Sequence, residues 1–169
     1  MKARFLTPVE DILITPFPGS PREWVVRTDI YYWSEVAKRT IHVPKNFITD
    51  LGSIPRSLWW LYPPYGKYTL AVILHDIGYW LQFCPREIVD AVLREAIVVC
   101  KDTQFTANVF YSAVRIGGWK AWANNSKQDK ATGFVREAPG AIIVPRISRD
   151  FCPGNLKEIS QGRGLRYER

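Results

Sequence analysis

Apolar residues recur with the period of an α-helix through the middle of the chain. The spacing predicts helices over about 67–83, 85–100 and 106–115. Pro85 occupies the first position of the second helix, Thr106 is the predicted cap of the third, and a double glycine ends the third. The first of these helices is apolar on nearly every side, which predicts a central, buried helix.

The first third of the chain is typical of β-structure. Residues 24–33 and 40–43 are rich in β-branched and aromatic side chains, and a polar turn separates them, which predicts a hairpin. Residues 3–16 offer another strand. The chain is therefore predicted to be α+β, with a small antiparallel sheet packed on a bundle of about three helices.

The character of the sequence changes near residue 124. We predict a single α+β domain over 1–123, followed over 124–169 by a polar loop, a short strand in GAIIVPR and an extended basic C-terminal arm. The polar stretch NNSKQDKATG is predicted to be the loop. The arm carries few apolar residues, so it has no core of its own.

Composition narrows the class of protein. A length of 169 residues fits one domain with a core. The net charge of +7 suits an acidic partner such as nucleic acid, but no compact basic run exists, so this partner is only weakly supported. No apolar run approaches the roughly 20 residues of a membrane helix, and we expect neither a membrane span nor a signal peptide.

Three cysteines lie at positions 84, 100 and 152. Cys84 and Cys100 flank one predicted helix, whose length of roughly 24 Å prevents a bond between them. We therefore expect three free thiols in a reducing compartment.

His75 and Asp76 are the conspicuous polar residues of the buried helix. A buried carboxylate must be paired, protonated or bound to a metal. Three kinds of partner are available, namely Asp50 with Ser53 upstream, a carboxylate on the next helix, and a basic group. The carboxylate on the next helix is Asp90, and the basic group is Arg56 or Arg115.

This group of residues has three interpretations. In a catalytic site of Asp50, Ser53, His75 and Asp76, the histidine acts as a general base on the serine or on water. In a metal site, one divalent ion is held by Asp50, His75, Asp76 and Asp90. In the third interpretation the residues form a structural network and bind no cofactor. We place this network first, catalysis second and metal binding third.

Asp90 also has an alternative on the surface. It lies on a polar stripe of the second helix with Arg86 and Arg94, at i, i+4 and i+8, which is the pattern of a solvated ladder. Arg115 shares a face with other polar residues and is also compatible with solvent exposure.

Aromatic and basic residues outside this group indicate an interaction surface. Adjacent bulky rings cannot all point inward, so the aromatic loop is predicted to contact a partner. The arginines of the C-terminal arm are predicted to do the same. The residues concerned are Trp59, Trp60, Tyr62, Arg146, Arg149, Arg163 and Arg166.

The stretch FITDLGSIPRSLWWLYPPYGKYTLAVILHDIGYW resembles the domain-of-unknown-function family 1353. The matching positions are Phe47, Thr49, Asp50, Ser53, Pro55, Gly66, His75, Asp76 and Tyr79, with Asp90, Ala113, Val114, Arg115 and Gly118 further on. The resemblance spans about 41–122. It implies a protein of tailed bacteriophages, prophages and their hosts, and it implies no settled activity.

We therefore expect a virion or assembly component of the tail or neck. Its expected partners are other phage structural proteins or copies of itself, and its expected location is the virion or the host cytoplasm. The alternative is a small hydrolase, with or without a divalent metal ion, centred on His75 and its carboxylates.

Overall fold

The computed structural model describes residues 1–18, 23–51 and 66–132, with side chains through residue 125. Within these ranges, two three-stranded antiparallel sheets and four α-helices make an α+β fold, as predicted. No helix within these ranges is long and apolar enough to cross a membrane.

The first sheet has the strand order β1-β4-β5, formed by Arg4–Phe5, Ile30–Ser34 and Arg39–Val43. Alternate residues of β4 are buried, and Tyr31 between them is exposed. This alternation is the mark of a sheet with one face on the core and one in solvent. A tight turn joins β4 to β5, and it confirms the predicted hairpin.

The second sheet has the order β2-β3-β6, formed by Ile14–Pro16, Trp24–Val26 and Ile48–Thr49. A short 3-10 helix, Val9–Asp11, lies between β1 and β2. The sequence predicted one strand over 24–33, whereas the structure has two strands there, β3 and β4, which belong to different sheets. The sequence likewise predicted one sheet, and the structure has two. Both corrections have one cause, since the chain leaves the second sheet after Val26 and enters the first at Ile30.

The four helices are α1 at Thr69–Leu81, α2 at Arg86–Val99, α3 at Gln104–Gly117 and α4 at Trp119–Thr132. Gln82 ends α1 in the left-handed conformation. The cap of α3 is Thr103, whose hydroxyl accepts a hydrogen bond from the Thr106 amide, so the predicted cap lay three residues too late.

The loop predicted after residue 124 is wrong as far as residue 132, because α4 runs through it. Its anchor is at its start, where Trp122 packs against the core. The polar composition that indicated a loop is also that of a helix with a solvated face. The predicted strand in GAIIVPR and the arm over 146–169 lie outside the described residues.

The core lies between the sheets and the helices. α1 is buried along most of its length, as predicted, and packs between α2 and the strands of both sheets. Its largest fully buried side chains include Ile73, Leu74 and Ile77, which belong to one cluster with Tyr32 and Phe47 from the β-layer. Burial of such side chains stabilises the fold by about 1.5–3 kcal/mol each.

The cysteines differ from the prediction. Cys84 is disulfide-bonded, whereas Cys100 is free and partly buried. The helix-length argument excluded a bond between these two, and that part holds. It did not exclude a bond from Cys84 to a thiol elsewhere in the chain, because helix length limits only local pairs.

Candidate functional site

Asp90 is the centre of a buried polar group on three helices. It comes from α2, is fully buried, and accepts hydrogen bonds from α1 and α3. His75 Nε2 lies 3.0 Å and the Tyr79 hydroxyl 2.8 Å from Oδ1, while Arg115 Nη1 lies 3.0 Å from Oδ2. We call His75, Tyr79, Asp90 and Arg115 the Asp90 cluster.

The sequence places the donors on matching faces. His75 and Tyr79 are one helical turn apart on α1, so both side chains reach the same point on α2. The two helices approach closely there, since a Cβ on Gly78 would lie 2.5 Å from Cγ1 of Val89. Arg115 reaches the same carboxylate from the last turn of α3.

The environment favours the ionised form of Asp90. Burial alone would raise the pKa of its carboxyl group, because desolvation penalises the charge. Hydrogen bonds from His75, Arg115 and Tyr79, together with attraction to His75, outweigh burial and lower the pKa below its ordinary value. Burial and the neighbouring carboxylate raise the pKa of Tyr79, which keeps the phenol protonated as a donor.

Two further charged residues of α2 hold α3 in place. Arg115 Nη2 lies 3.3 Å from Glu87 Oε1 at the exposed rim. Arg86 donates to the backbone carbonyls of Val114 and Arg115 at the C-terminal end of α3, where a cation is favourable.

The predicted surface ladder is therefore wrong. Asp90 is 0% exposed, and its partners come from α1 and α3 instead of from Arg86 and Arg94 one turn away. The polar stripe of α2 faces α3, which supplies Arg115 as the compensating cation. Arg115 is itself partly buried.

The ring of Tyr79 extends the cluster to α4. It stacks edge-on with Trp122 at a centroid distance of 5.0 Å and tilts against the His75 ring at 4.1 Å. Gly118, between α3 and α4, leaves room for the hydroxyl, because a Cβ there would lie 2.3 Å from it. The Asn125 side chain donates to the Tyr79 carbonyl at 3.3 Å.

Asp76 belongs to a separate contact. Its Oδ2 accepts a hydrogen bond from the Thr49 hydroxyl, which in turn accepts one from the Leu51 amide at 3.0 Å. Thr49 is fully buried at the end of β6. The Thr49–Asp76 hydrogen bond connects α1 to the second sheet. In the sequence, Thr49 is followed by Asp50 and by the segment that carries Ser53.

A second carboxylate, the partly buried Glu95, joins α2 to the first sheet. It accepts hydrogen bonds from the Ser34 hydroxyl at 2.8 Å, the Val36 amide at 2.9 Å and the Tyr32 hydroxyl at 3.1 Å. Burial raises the pKa of Glu95, and these hydrogen bonds offset the rise only in part. Sequence reasoning did not identify this residue, since a lone glutamate on a helix is ordinarily solvated.

His75 and Asp76 are adjacent in the sequence and take part in different contacts. The structure brings His75 to Asp90 and Arg115, two of the partners named from the sequence, and brings Asp76 to Thr49. Ser53, Arg56 and the aromatic loop lie outside the described residues. Within the described part of the chain, no three His, Cys, Asp or Glu side chains converge as a metal site would require.

Tyr79 and Thr49 were not among the predicted site residues, yet both are direct partners of predicted ones. A signal existed for Tyr79, because a hydroxyl four residues after His75 on one helix shares its face. No local spacing placed Thr49 beside Asp76, because their contact spans 27 residues.

These features define an α+β protein in which three helices enclose a hydrogen-bonded His–Asp–Tyr–Arg cluster. A family model described as a protein of unknown function (DUF1353) matches residues 24–114, just over half of the chain, and the chain belongs to this family. The predicted resemblance is confirmed, although the match begins before residue 41. No curated protein and no solved structure gives a match.

Proposed function

We propose that the chain is a bacteriophage-type virion or assembly component of the tail or neck, in which the Asp90 cluster stabilises the fold. The full burial and triple hydrogen bonding of Asp90 support the structural role of the cluster. The place in a virion is what the resemblance to the family implies. A buried carboxylate with three donors and a counter-charge is internally satisfied. His75 is itself only 8% exposed, so a substrate has little access to it.

The surface offers apolar side chains for contacts with other proteins. Near the N-terminus, Leu6, Val9 and Leu13 are each roughly half exposed. Groups of exposed apolar residues favour protein–protein contact. The aromatic loop and the arginines of the arm remain part of the proposal on sequence grounds alone.

The proposal is tested in particles of the phage or prophage that encodes the chain. We expect quantitative mass spectrometry to detect the protein at a fixed ratio to known structural proteins, in mature particles or in assembly intermediates. Its absence from both, in preparations where those structural proteins are detected, would overturn the proposal.

The surfaces can be tested in the same preparations. Trp60→Ala in the aromatic loop and Arg149→Ala in the arm should lower incorporation of the protein. Tyr31→Ala is a matched control, because Tyr31 is an exposed aromatic side chain on the first sheet. Equal incorporation of all three variants would exclude the loop and the arm as contact surfaces.

A hydrolase is the second candidate, and one observation favours it. Asp90 engages Nε2 of His75, an arrangement that orients a histidine so that Nδ1 could act as a base. Chromogenic ester and phosphate-ester substrates test this candidate, with Ser53→Ala as the discriminating variant. Turnover that Ser53→Ala abolishes without loss of folding would favour the hydrolase over the structural component.

A further inference from the structure

β5 lies at the edge of the first sheet. It pairs with β4 on one side, and among the residues that the structure describes no strand pairs with its other side. An edge strand leaves alternate backbone N–H and C=O groups without a ladder partner. Such groups can form hydrogen bonds with the backbone of another extended segment, which then becomes an added strand of the sheet.

Arg39, the first residue of β5, has a donor that lacks an acceptor. Its Nη1 is the one buried side-chain nitrogen or oxygen without a hydrogen-bond partner in the described part of the chain. The guanidinium lies over the Phe83 ring, 5.2 Å from the centroid, and this contact attracts the cation without accepting a hydrogen bond in the plane of the guanidinium. Burial lowers the pKa of Arg39, and no described acidic side chain offsets this effect. A buried donor without a partner is costly, so the position is suited to an added acceptor.

A shallow cleft connects the strand edge with this donor. It is lined by four consecutive residues of β5 and by two residues at or just beyond the end of α1, namely Arg39, Thr40, Ile41, His42, Leu81 and Phe83. Successive side chains of a strand point to opposite faces, so a cleft lined by four in a row follows the edge of the strand instead of one face. We call it the β5 cleft. Arg39 is only partly buried as a whole, so a molecule in the cleft has access to this side chain.

We propose that the β5 cleft binds an extended segment of a partner protein through backbone hydrogen bonds, with an aspartate or glutamate of that segment paired to Arg39. The strand edge selects an extended polypeptide, and the uncompensated guanidinium selects a carboxylate, which it binds with two parallel hydrogen bonds. The net charge of +7 also favours an acidic partner. A nucleic acid would require several phosphate-binding cations, whereas the lining of the cleft carries one permanent cation.

This inference deepens the proposed function and rests on it, because it gives the chemistry of one contact of the assembly component. The two fail separately. A protein that occurs in particles but binds no acidic peptide at β5 would refute the inference alone. A protein that binds such peptides but is absent from particles and assembly intermediates would refute the proposed function alone.

The experiment selects random decapeptides displayed on yeast for binding to the purified full chain. Fluorescence anisotropy then gives the dissociation constants of the selected peptides, which we expect to contain an essential aspartate or glutamate. Replacing this residue by its amide, or Arg39 by methionine, should raise the dissociation constant at least about 10-fold. The two changes together should add little to either alone, because both remove the same ion pair.

Arg94→Met is the matched control. Arg94 also places its guanidinium over an aromatic ring, at 5.8 Å from the centroid of Tyr111, but it is exposed and lies outside the β5 cleft. This variant should bind the selected peptides as the original protein does. Arg39→Met should also melt at no lower temperature than the original protein, because it removes an unpaired buried donor. Loss of binding therefore cannot be attributed to unfolding.

Backbone methylation tests the strand addition. Alternate amides of an extended peptide point to opposite edges, so N-methylation of one alternate set should abolish binding and N-methylation of the other set should leave it. Hydrogen exchange provides a second measurement, in which the outward-facing amides of β5 should become protected only when the peptide is bound.

Three results would overturn the proposal. One is the absence of any selected peptide whose binding requires Arg39, and another is equal tolerance of both sets of N-methyl groups. The third is protection of the outward-facing β5 amides before any peptide is added, which would assign the edge to another segment of the same chain.

Discussion

Tyr79 donates a hydrogen bond of 2.8 Å to the carboxylate of Asp90, at the point where α1, α2 and α3 meet. Its ring lies between His75 and Trp122, so the same side chain also contacts α4. One tyrosine therefore links all four helices.

Removing only the hydroxyl isolates the hydrogen bond. Tyr79→Phe keeps the ring contacts and should lower the free energy of unfolding by about 1.5–3 kcal/mol, as expected for a hydrogen bond to a charged group. Urea denaturation measures the change. Tyr31→Phe, at an exposed ring, is the control and should stay within about 0.5 kcal/mol of the original protein. Equal effects of the two changes would contradict the role given to Tyr79.

Asp90→Asn removes the charge that compensates Arg115 and should cost about 3 kcal/mol of unfolding free energy. The pKa of Asp90 is lowered from its ordinary value of 3.8, so the native state binds this proton less readily than the unfolded state. Its contribution is therefore present above pH 3.8 and is lost as the pH falls through the native pKa.

Denaturation from pH 7 down to pH 2 checks this linkage. The Asp90→Asn variant should lose less stability on acidification than the original protein. Glu10→Gln, which neutralises an exposed carboxylate, should keep the original acid dependence. An unchanged acid profile in Asp90→Asn would show that the carboxylate is not stabilised in the native state.

Glu95 should show the opposite pH dependence. Its pKa is raised above the ordinary value of 4.5, so the native state holds this proton more tightly than the unfolded state. Stability should therefore fall as the pH rises from 4.5 through the native pKa. Glu95→Gln should flatten this part of the stability curve, measured by thermal unfolding at closely spaced pH values. An identical curve in the variant would assign the dependence to other groups.

Adjacent glycines at the α3–α4 junction should respond in opposite directions to alanine. Gly118→Ala places a Cβ 2.3 Å from the Tyr79 hydroxyl and 2.5 Å from the Val114 carbonyl oxygen, and it should destabilise the protein by about 1–3 kcal/mol. Gly117→Ala meets nothing within 4 Å and should stabilise α3 by about 0.5–1 kcal/mol. Melting temperatures of the two variants provide the test, and a loss of equal size in both would contradict the close packing.

Cys100 should react slowly although it is a free thiol. Burial raises the pKa of Cys100 to about 11, and a nearby carboxylate, Asp102, adds to the rise. Because the thiolate is the nucleophile, iodoacetamide at pH 8 should label the native protein about 100-fold more slowly than the urea-unfolded protein. Cys84, which is disulfide-bonded, should label only after reduction. Mass spectrometry follows both sites, and equal labelling of Cys100 in the two states would contradict its burial.

Local signals in the sequence determined most of the helices and one hairpin. The apolar stretch before His75 predicted a buried α1, and Pro85 and the double glycine marked helix ends that lie within two residues of those observed. These signals act over one or two helical turns, so they are readable without the fold. The family pattern also depends on residue identity and spacing alone.

Only the tertiary structure determined which partners the polar side chains contact. The period of α2 showed that Asp90 lies on a polar stripe, and it could not show that this stripe faces α3 instead of water. The hydrogen-bond partners of Asp90, Asp76 and Glu95 described above lie 11 to 63 residues away along the chain. A buried carboxylate requires donors in three dimensions, and only the packing of the helices and sheets decides which distant donors reach it.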